Sequence, residues 1–283
     1  MGINDKYRLA VEELDATVRK RVQKGVYVAM GYTSNLDLLA NFQIDTLNTY
    51  LAQYLPDATS SRILKPDIIH SLEDLLNAIV FFCINGIGGE VELEDTGIMD
   101  QTFTWQYGMG GTGVQAAMAL AAIKCPTIVH LTDDSKEVCD ILSSPYIYTV
   151  SKNGTLVHTE EIQSIAEQEI HYIIQFRKGD VIKLGEEEIA IPASNRLIIT
   201  KVTVNEYVPL WMPYFRYIEN NASSIRSNVL SSFNVVLDEN VLMERLEYIR
   251  GHVRRYKENS PAGIVFFEEA HYHRESIREL CLE

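Results

Sequence analysis

A chain of 283 residues with 46% hydrophobic residues carries enough apolar side chain for one large domain, or for one domain with a smaller excursion. Its 25 Lys and Arg against 39 Asp and Glu leave a formal charge of -14, which opposes sequence-independent attraction to nucleic acid or anionic lipid, since both need excess cations. The longest apolar run, 75–84, contains an Asn and is too short to span a bilayer, so the expected partner is a small molecule rather than a membrane or a nucleic acid.

Residues 5–24 place Leu9, Val11, Leu14, Val18 and Val22 at helical spacing and end in a basic turn before Gly25, which predicts a surface helix. The apolar run 26–30 predicts a buried strand ending at Gly31, with Asn35-Leu-Asp37 just beyond it. Helical patterning returns at 67–83. The run 102–107 alternates polar and aromatic residues as a half-exposed strand does, and 114–122 again reads as helix. Pro126 introduces a strand at 127–131, and this alternation of strand and helix implies an α/β class. Between 146 and 201, short β-branched runs broken by turns (147–150, 171–176, 181–184, 197–201) predict a separate β-rich layer. The α/β rhythm then resumes with a helix near 213–226, a strand at 228–233, a long amphipathic helix at 239–256 and a strand at 263–267.

Cys83, Cys125, Cys139 and Cys281 show no paired spacing, which suggests reduced thiols rather than a zinc site or a disulfide framework. The first residues lack the apolar core of a secretion signal, and a cytoplasmic location is expected. Without secretion, Asn153-Gly-Thr155 and Asn221-Ala-Ser223 read as ordinary turns, not glycosylation sites.

The densest motif is Gly108-Met-Gly110-Gly111-Thr112-Gly113, between a strand-like and a helix-like run. Its spacing fits a dinucleotide fingerprint, and Asp133 and Asp134 lie about twenty residues on, where a ribose-binding acid would stand. A NAD-binding oxidoreductase is therefore one reading. Against it, the preceding strand is too polar to be the covered first strand of such a sheet, and a better first strand at 26–30 carries no glycine loop. The second reading makes Gly110 and Gly111 a cradle: adjacent glycines expose backbone N–H groups at the positive end of the following helix.

Gly110-Gly-Thr-Gly-Val-Gln-Ala-Ala117, running on to Thr127-Ile-Val-His-Leu-Thr-Asp-Asp134, resembles the first signature of the ribokinase superfamily, with Gln115 where that signature has Asn. Several further segments resemble its ADP-dependent glucokinase and phosphofructokinase branch. They are Asn35-Leu-Asp37, Gly86-Ile-Gly-Gly-Glu90, the strand Ile170-His171-Tyr-Ile-Ile-Gln-Phe176, Asn195-Arg196, Ser231-Ser-Phe-Asn234 and Phe266-Phe-Glu268-Glu-Ala270. Ser232 replaces a family Gly and Phe266 a family His, and the resemblance runs from about residue 26 onward.

This resemblance implies a ribokinase-like three-layer α/β core with a discontinuous β-rich lid. The expected core is 1–32, 61–86, 110–146 and 206–283, and the expected lid 33–60, 87–109 and 147–205. It further implies phosphoryl transfer from ADP, with Mg2+, to a hydroxyl of a hexose or hexose phosphate. Asn35, Asp37, Glu90, Gly110, Gly111, Thr112, His171, Asn195 and Arg196 would bind the acceptor, and Glu268 would place the metal through water, with Glu269 as its rival. The family's G-x-G-D motif, with the catalytic base, is expected beyond Glu283, so no residue of this chain is assigned as catalytic. Three alternatives follow: a kinase completed by a partner or by a further segment that closes the sheet, a fragment of an active enzyme, and a non-catalytic sugar-binding or regulatory protein.

Overall fold

The computed structural model describes residues 2–22, 24, 26–162, 168, 170–201, 207–269, 272 and 274–282. In chain order its first elements are α1 (Ile3–Val22), β1 (Tyr27–Met30), β2 (Asn35–Ala40), α2 (Ile44–Tyr54), β3 (Ile68–Ile69), α3 (Leu72–Asn85), β4 (Gly89–Leu93), α4 (Gly97–Thr102) and β5 (Trp105–Gly110). There follow α5 (Thr112–Ala122), β6 (Thr127–Val129), α6 (Lys136–Ile141), β7 (Ile147–Val150), β8 (Leu156–His158), β9 (Ile170–Phe176), β10 (Val181–Leu184), β11 (Glu187–Ala190) and β12 (Asn195–Thr200). The last are α7 (Met212–Asn220), β13 (Ile225–Leu230), α8 (Glu239–Asn259), β14 (Ile264–Phe267) and α9 (Glu275–Leu282). None of the described helices is long and apolar enough to cross a membrane.

Contacts divide the chain into two units: Met1–Asn35, Met109–Gln168 and Val204–Glu283, and Leu36–Gly108 with Glu169–Thr203. The first is an α/β unit whose sheet has the order β14-β13-β1-β6-β7-β8, parallel except for β8. Parallel strands need covered faces, and β1, β6 and β13 accordingly bury Ala29, Met30, Ile128, Val129, Ile225 and Leu230. Helix α8 presents Leu242, Leu246, Ile249, His252 and Tyr256 at spacings of three and four, one stripe facing the core. Its start is set by Asp238, whose Oδ1 accepts the Asn240 and Val241 amides at 2.8 and 3.0 Å, a cap worth about 1 kcal/mol. Helix α7 stops at Asn220 rather than 226, because Ile225 already begins a strand paired in parallel with β1.

The second unit holds a mixed sheet of order β3-β4-β12-β9-β2-β5 and a β10–β11 hairpin. Asn48 of α2 holds the hairpin as a strand neighbour would, donating to the Val181 carbonyl at 3.0 Å and accepting the Lys183 amide at 2.8 Å. Helix α3 buries Leu75, Leu76, Ile79, Val80, Phe82 and Cys83.

The division corrects the expected boundaries at two places. Residues 61–86 were expected in the core, but α3 packs on β3 and β12 of the mixed sheet. Residues 147–168 were expected in the lid, but β7 pairs in parallel with β6 and extends the core sheet. An amphipathic helix or a short apolar strand reads identically whichever sheet it serves.

Candidate functional site

In the mixed sheet, strand periodicity sorts side chains onto two faces. Leu36, Leu38, Tyr172, Ile174, Leu197, Ile199, Val91 and Leu93 are buried on one face, and the alternate positions carry Asp37, His171, Arg196, Thr200, Glu90 and Glu92 together with Leu39, Ile173 and Ile198. Asp37 on β2 stands opposite His171 on β9, His171 opposite Thr200 on β12, and Ile198 opposite Glu90 on β4. Directly opposed residues share a face, as do residues two apart on one strand, so Asp37, His171 and Thr200 form a polar row that continues to Glu92, with Glu90 on the same face two residues along β4. His171 Nδ1 lies 3.9 Å from Asp37 Oδ1, both half-buried, and the Thr200 hydroxyl donates to Glu90 Oε1 at 3.2 Å. Neighbouring strands are about 4.8 Å apart and successive residues about 3.4 Å, so Asp37 and His171 can grip one edge of a ligand while the Glu90 backbone, two strands across and two residues along, stands about 12 Å from that of His171.

Arg196 shares that face, opposite Gln175, but four residues of strand place it about 13 Å from Thr200. Asn195 lies in register with Phe176, on the other face. Its Oδ1 accepts the Arg196 amide at 3.0 Å, and a Cβ on Gly88 would collide with its side chain. Asn195 therefore turns the chain into β12 and does not join the polar row, contrary to the sequence expectation. Thr200 escaped that reading because it ends an apolar run and gains meaning only from the register of β12 on β9.

In the α/β unit, the loops after β1, β6 and β13 all leave from carboxyl ends of parallel strands. The strand order reverses at β1, the position where such sheets bind ligands. Hydrogen bonds knit these loops together. The Gly31 amide donates to the Val229 carbonyl at 3.1 Å, the Ser231 hydroxyl donates to the Gly31 carbonyl, and the Thr33 hydroxyl donates to Ser232 Oγ at 2.7 Å. Ser34 Oγ accepts the Thr132 and Asp133 amides at 2.9 Å each and donates to the Asp133 carbonyl at 2.9 Å. Tyr32 is fully buried among His130, Tyr214, Phe215 and Phe233, with ring centroids 5.3 to 6.4 Å apart. Buried Asn35 follows directly, at the start of β2.

His130 pins this loop through both ring nitrogens. Nε2 accepts the Trp211 amide at 2.9 Å, so Nδ1 carries the proton and donates to the Tyr32 carbonyl at 2.8 Å. Burial, opposed by the bond to Tyr32, pushes its pKa down to about 4 and keeps the imidazole neutral.

The glycine segment is not a loop after a first strand. Gly108 and Gly110 end β5, and Gly111 alone turns the chain, at φ 95°, into α5. A Cβ at 111 would run into the Thr33 carbonyl, so only glycine lets the start of α5 lie against that loop. Thr112 is the first, exposed residue of α5, whose leading amides have no partners within the helix. Gln115, where the signature has Asn, donates to the Met109 carbonyl at 2.7 Å and braces the turn. Asp133 Oδ1 accepts the Ser135 amide at 2.8 Å, which makes it a turn residue, and with β1 free of any glycine loop the dinucleotide reading falls.

Ser232 sits at φ 74°, the left-handed region that suits the family's Gly. Beyond β14, Glu268 donates its amide to the Leu230 carbonyl at 2.9 Å, and its Oε2 is buried without a hydrogen-bond partner among the described residues. Glu269 instead pairs with Arg278 at 2.8 Å. No group of three or more potential ligands among the described residues forms a metal cage. A cation here would rest on one carboxylate, water and ligand oxygens, a donor set that suits Mg2+.

The conserved region described as ADP-specific phosphofructokinase/glucokinase matches residues 26–283. The ADP-dependent glucose/glucosamine kinase of Pyrococcus abyssi is 24% identical over 269 residues, 91% of this chain and 57% of that protein. A structure of the last common ancestor of ADP-dependent phosphofructokinases from Methanosarcinales superposes with a TM-score of 0.70 at 22% identity, covering 100% of this chain and 61% of its own. An ADP-dependent kinase in complex with fructose-6-phosphate and ADPβS gives 0.67 at 20%, covering 100% of this chain and 59% of its own. The chain thus spans about three fifths of the length of these proteins. The likeness in structure establishes the ribokinase-like α/β fold.

Proposed function

We propose, from the premise that this chain belongs to the ADP-specific phosphofructokinase/glucokinase family, that it binds a hexose or hexose phosphate as acceptor in phosphoryl transfer from ADP. The observation that carries this is the Asp37–His171 pair on the open face of the mixed sheet. A half-buried carboxylate can accept two sugar hydroxyl bonds, and the adjacent imidazole offers a donor and an acceptor, a pair suited to orienting a polyol. The Thr200–Glu90 hydrogen bond fixes a second acceptor group on the same face.

Asn35 and the Gly110–Gly111 turn contribute amides and a carboxamide at the carboxyl ends of the α/β strands, where the dipole of α5 favours developing negative charge. Mg2+, when bound, would neutralise charge on the donor phosphates. Glu268, with its unpartnered buried oxygen, would hold it or its waters. At the edge of the core sheet β14 exposes Ile264 and Phe266, and there a further strand, from a partner or a longer chain, would complete the sheet.

Calorimetry with glucose, fructose 6-phosphate and ADP tests this reading. Sugar binding that Asp37→Ala reduces about tenfold or more supports it, and an unchanged affinity in that variant would sink the acceptor-site assignment. Sugar binding with no response to ADP points instead to a non-catalytic sugar-binding protein. The choice of sugar separates a neutral hexose, which suits the carboxylates of Asp37 and Glu90, from a phosphorylated one that would need Arg196.

A further inference from the structure

A cavity of about 780 Å³ opens in the α/β unit beyond the carboxyl ends of β6 and β7. That volume suits a small molecule, and open α/β sheets take their ligands at this end of the strands. Every residue lining it belongs to the first unit, and neither Asn35, the Gly110–Gly111 turn nor Glu268 is among them, so it is separate from the site described above. Its walls are held in place. Thr132 donates its amide to Ser34 Oγ at 2.9 Å and its hydroxyl to the Ser34 carbonyl at 3.0 Å, and the Thr149 hydroxyl donates to the Val129 carbonyl at 2.9 Å. Trp211 is fixed twice, by its amide on His130 and by its indole Nε1, which donates to the Val150 carbonyl at 2.9 Å. A cavity with pinned walls gives up little freedom when a ligand enters.

The lining selects the chemistry of the occupant. Leu131, Val150, Ile162, Pro209, Leu210 and the indole of Trp211 offer apolar surface, which favours a hydrophobic body of side-chain size. The same lining carries opposite charges. Lys152 sits on the tight turn between β7 and β8, where the Gly154 amide donates to the Ser151 carbonyl at 2.9 Å, and Glu161 accepts the His158 amide on Oε1 at 2.9 Å. Neither makes an ion pair with the other or with any other described residue. A ligand with a carboxylate alone would face Glu161 and Asp134 as well as Lys152, in a chain of formal charge -14, and one with an ammonium alone would leave Lys152 opposed. A ligand that carries both groups satisfies both sides. We infer that this cavity binds a free α-amino acid with an apolar or aromatic side chain. Its carboxylate pairs with Lys152, its ammonium with the carboxylates of Glu161 and Asp134, and its side chain lies against Trp211 and Leu210.

Calorimetry of the full chain with L-phenylalanine as the probe tests this assignment. Saturable binding is expected, with phenylpropionate, which lacks the ammonium, and phenethylamine, which lacks the carboxylate, each about tenfold weaker or more. Lys152→Met should weaken L-phenylalanine binding about tenfold, and so should Glu161→Gln, which keeps an acceptor for the His158 amide. Both positions are exposed, so circular dichroism and Tm should stay as in the wild type. Saturating ADP or fructose 6-phosphate should leave the L-phenylalanine affinity unchanged. No binding of L-phenylalanine, a single-charge analogue that binds as tightly, or an affinity that Lys152→Met leaves intact overturns the inference. So does displacement by ADP or fructose 6-phosphate, which would assign the binding to the donor or acceptor site instead.

Discussion

Acidification should weaken this fold through His130, by an amount the structure allows to be worked out. The imidazole is buried, accepts the Trp211 amide and donates to the Tyr32 carbonyl, so it has no room for a second proton without losing the Trp211 bond. Its pKa lies near 4 when folded and near 6.5 when unfolded. Because the folded value is the lower one, the unfolded chain binds more protons between them. The stability this group contributes is complete above about pH 6.5 and is lost as pH falls toward about 4. At about 1.4 kcal/mol per pH unit, the whole window is worth about 3 kcal/mol, and the loss by about pH 5.5 is about 1.4 kcal/mol. Urea unfolding followed by tryptophan fluorescence, from about pH 7.5 to 5.5, should show this loss in the wild type and not in His130→Gln. Burial also lowers the pKa of His252, which bends the curve in the same direction, but that contribution is common to both proteins and cancels in their difference. A wild-type-minus-variant difference that is flat over this range, or that grows on acidification, would refute the argument. The result bears on function because His130 anchors the loop that leads to Asn35.

Three other perturbations separate strain, close approach and charge. Ser232→Ala keeps the left-handed backbone and loses the bond from Thr33, a cost of about 1 kcal/mol, whereas Ser232→Gly loses the same bond but relieves the backbone and should come out near neutral; urea midpoints in the reverse order would contradict this balance. Gly111→Ala drives a Cβ into the Thr33 carbonyl at φ 95° and should cost more than about 2 kcal/mol, read as a drop in Tm; an unchanged Tm would mean the turn is not held as described. Glu268→Gln should weaken Mg2+-dependent ADP binding about tenfold while leaving sugar affinity intact, measured by calorimetry with and without the metal; equal losses for sugar and nucleotide would count against a metal role.

The amino-acid pattern by itself determined the elements whose signals are local. The run at β1, the Ser71-capped helix α3, the glycine-led α5 and the stripe of α8 each carry their periodicity and caps within one segment, so their existence and type can be read without a partner. The family signatures likewise pointed to Asp37 and His171 one at a time. Tertiary structure alone decided what depends on register and sheet membership. It set Asp37 beside His171 across a parallel pair and brought Thr200 to Glu90, while turning Asn195 to the opposite face. It also assigned α3 and β7 to the sheets they serve, and engaged Glu269 with Arg278 so that Glu268 keeps the unpartnered oxygen. A side-chain period fixes which face of a segment is apolar, whereas which strand lies alongside is set by contacts far apart in the chain, and no local pattern encodes them.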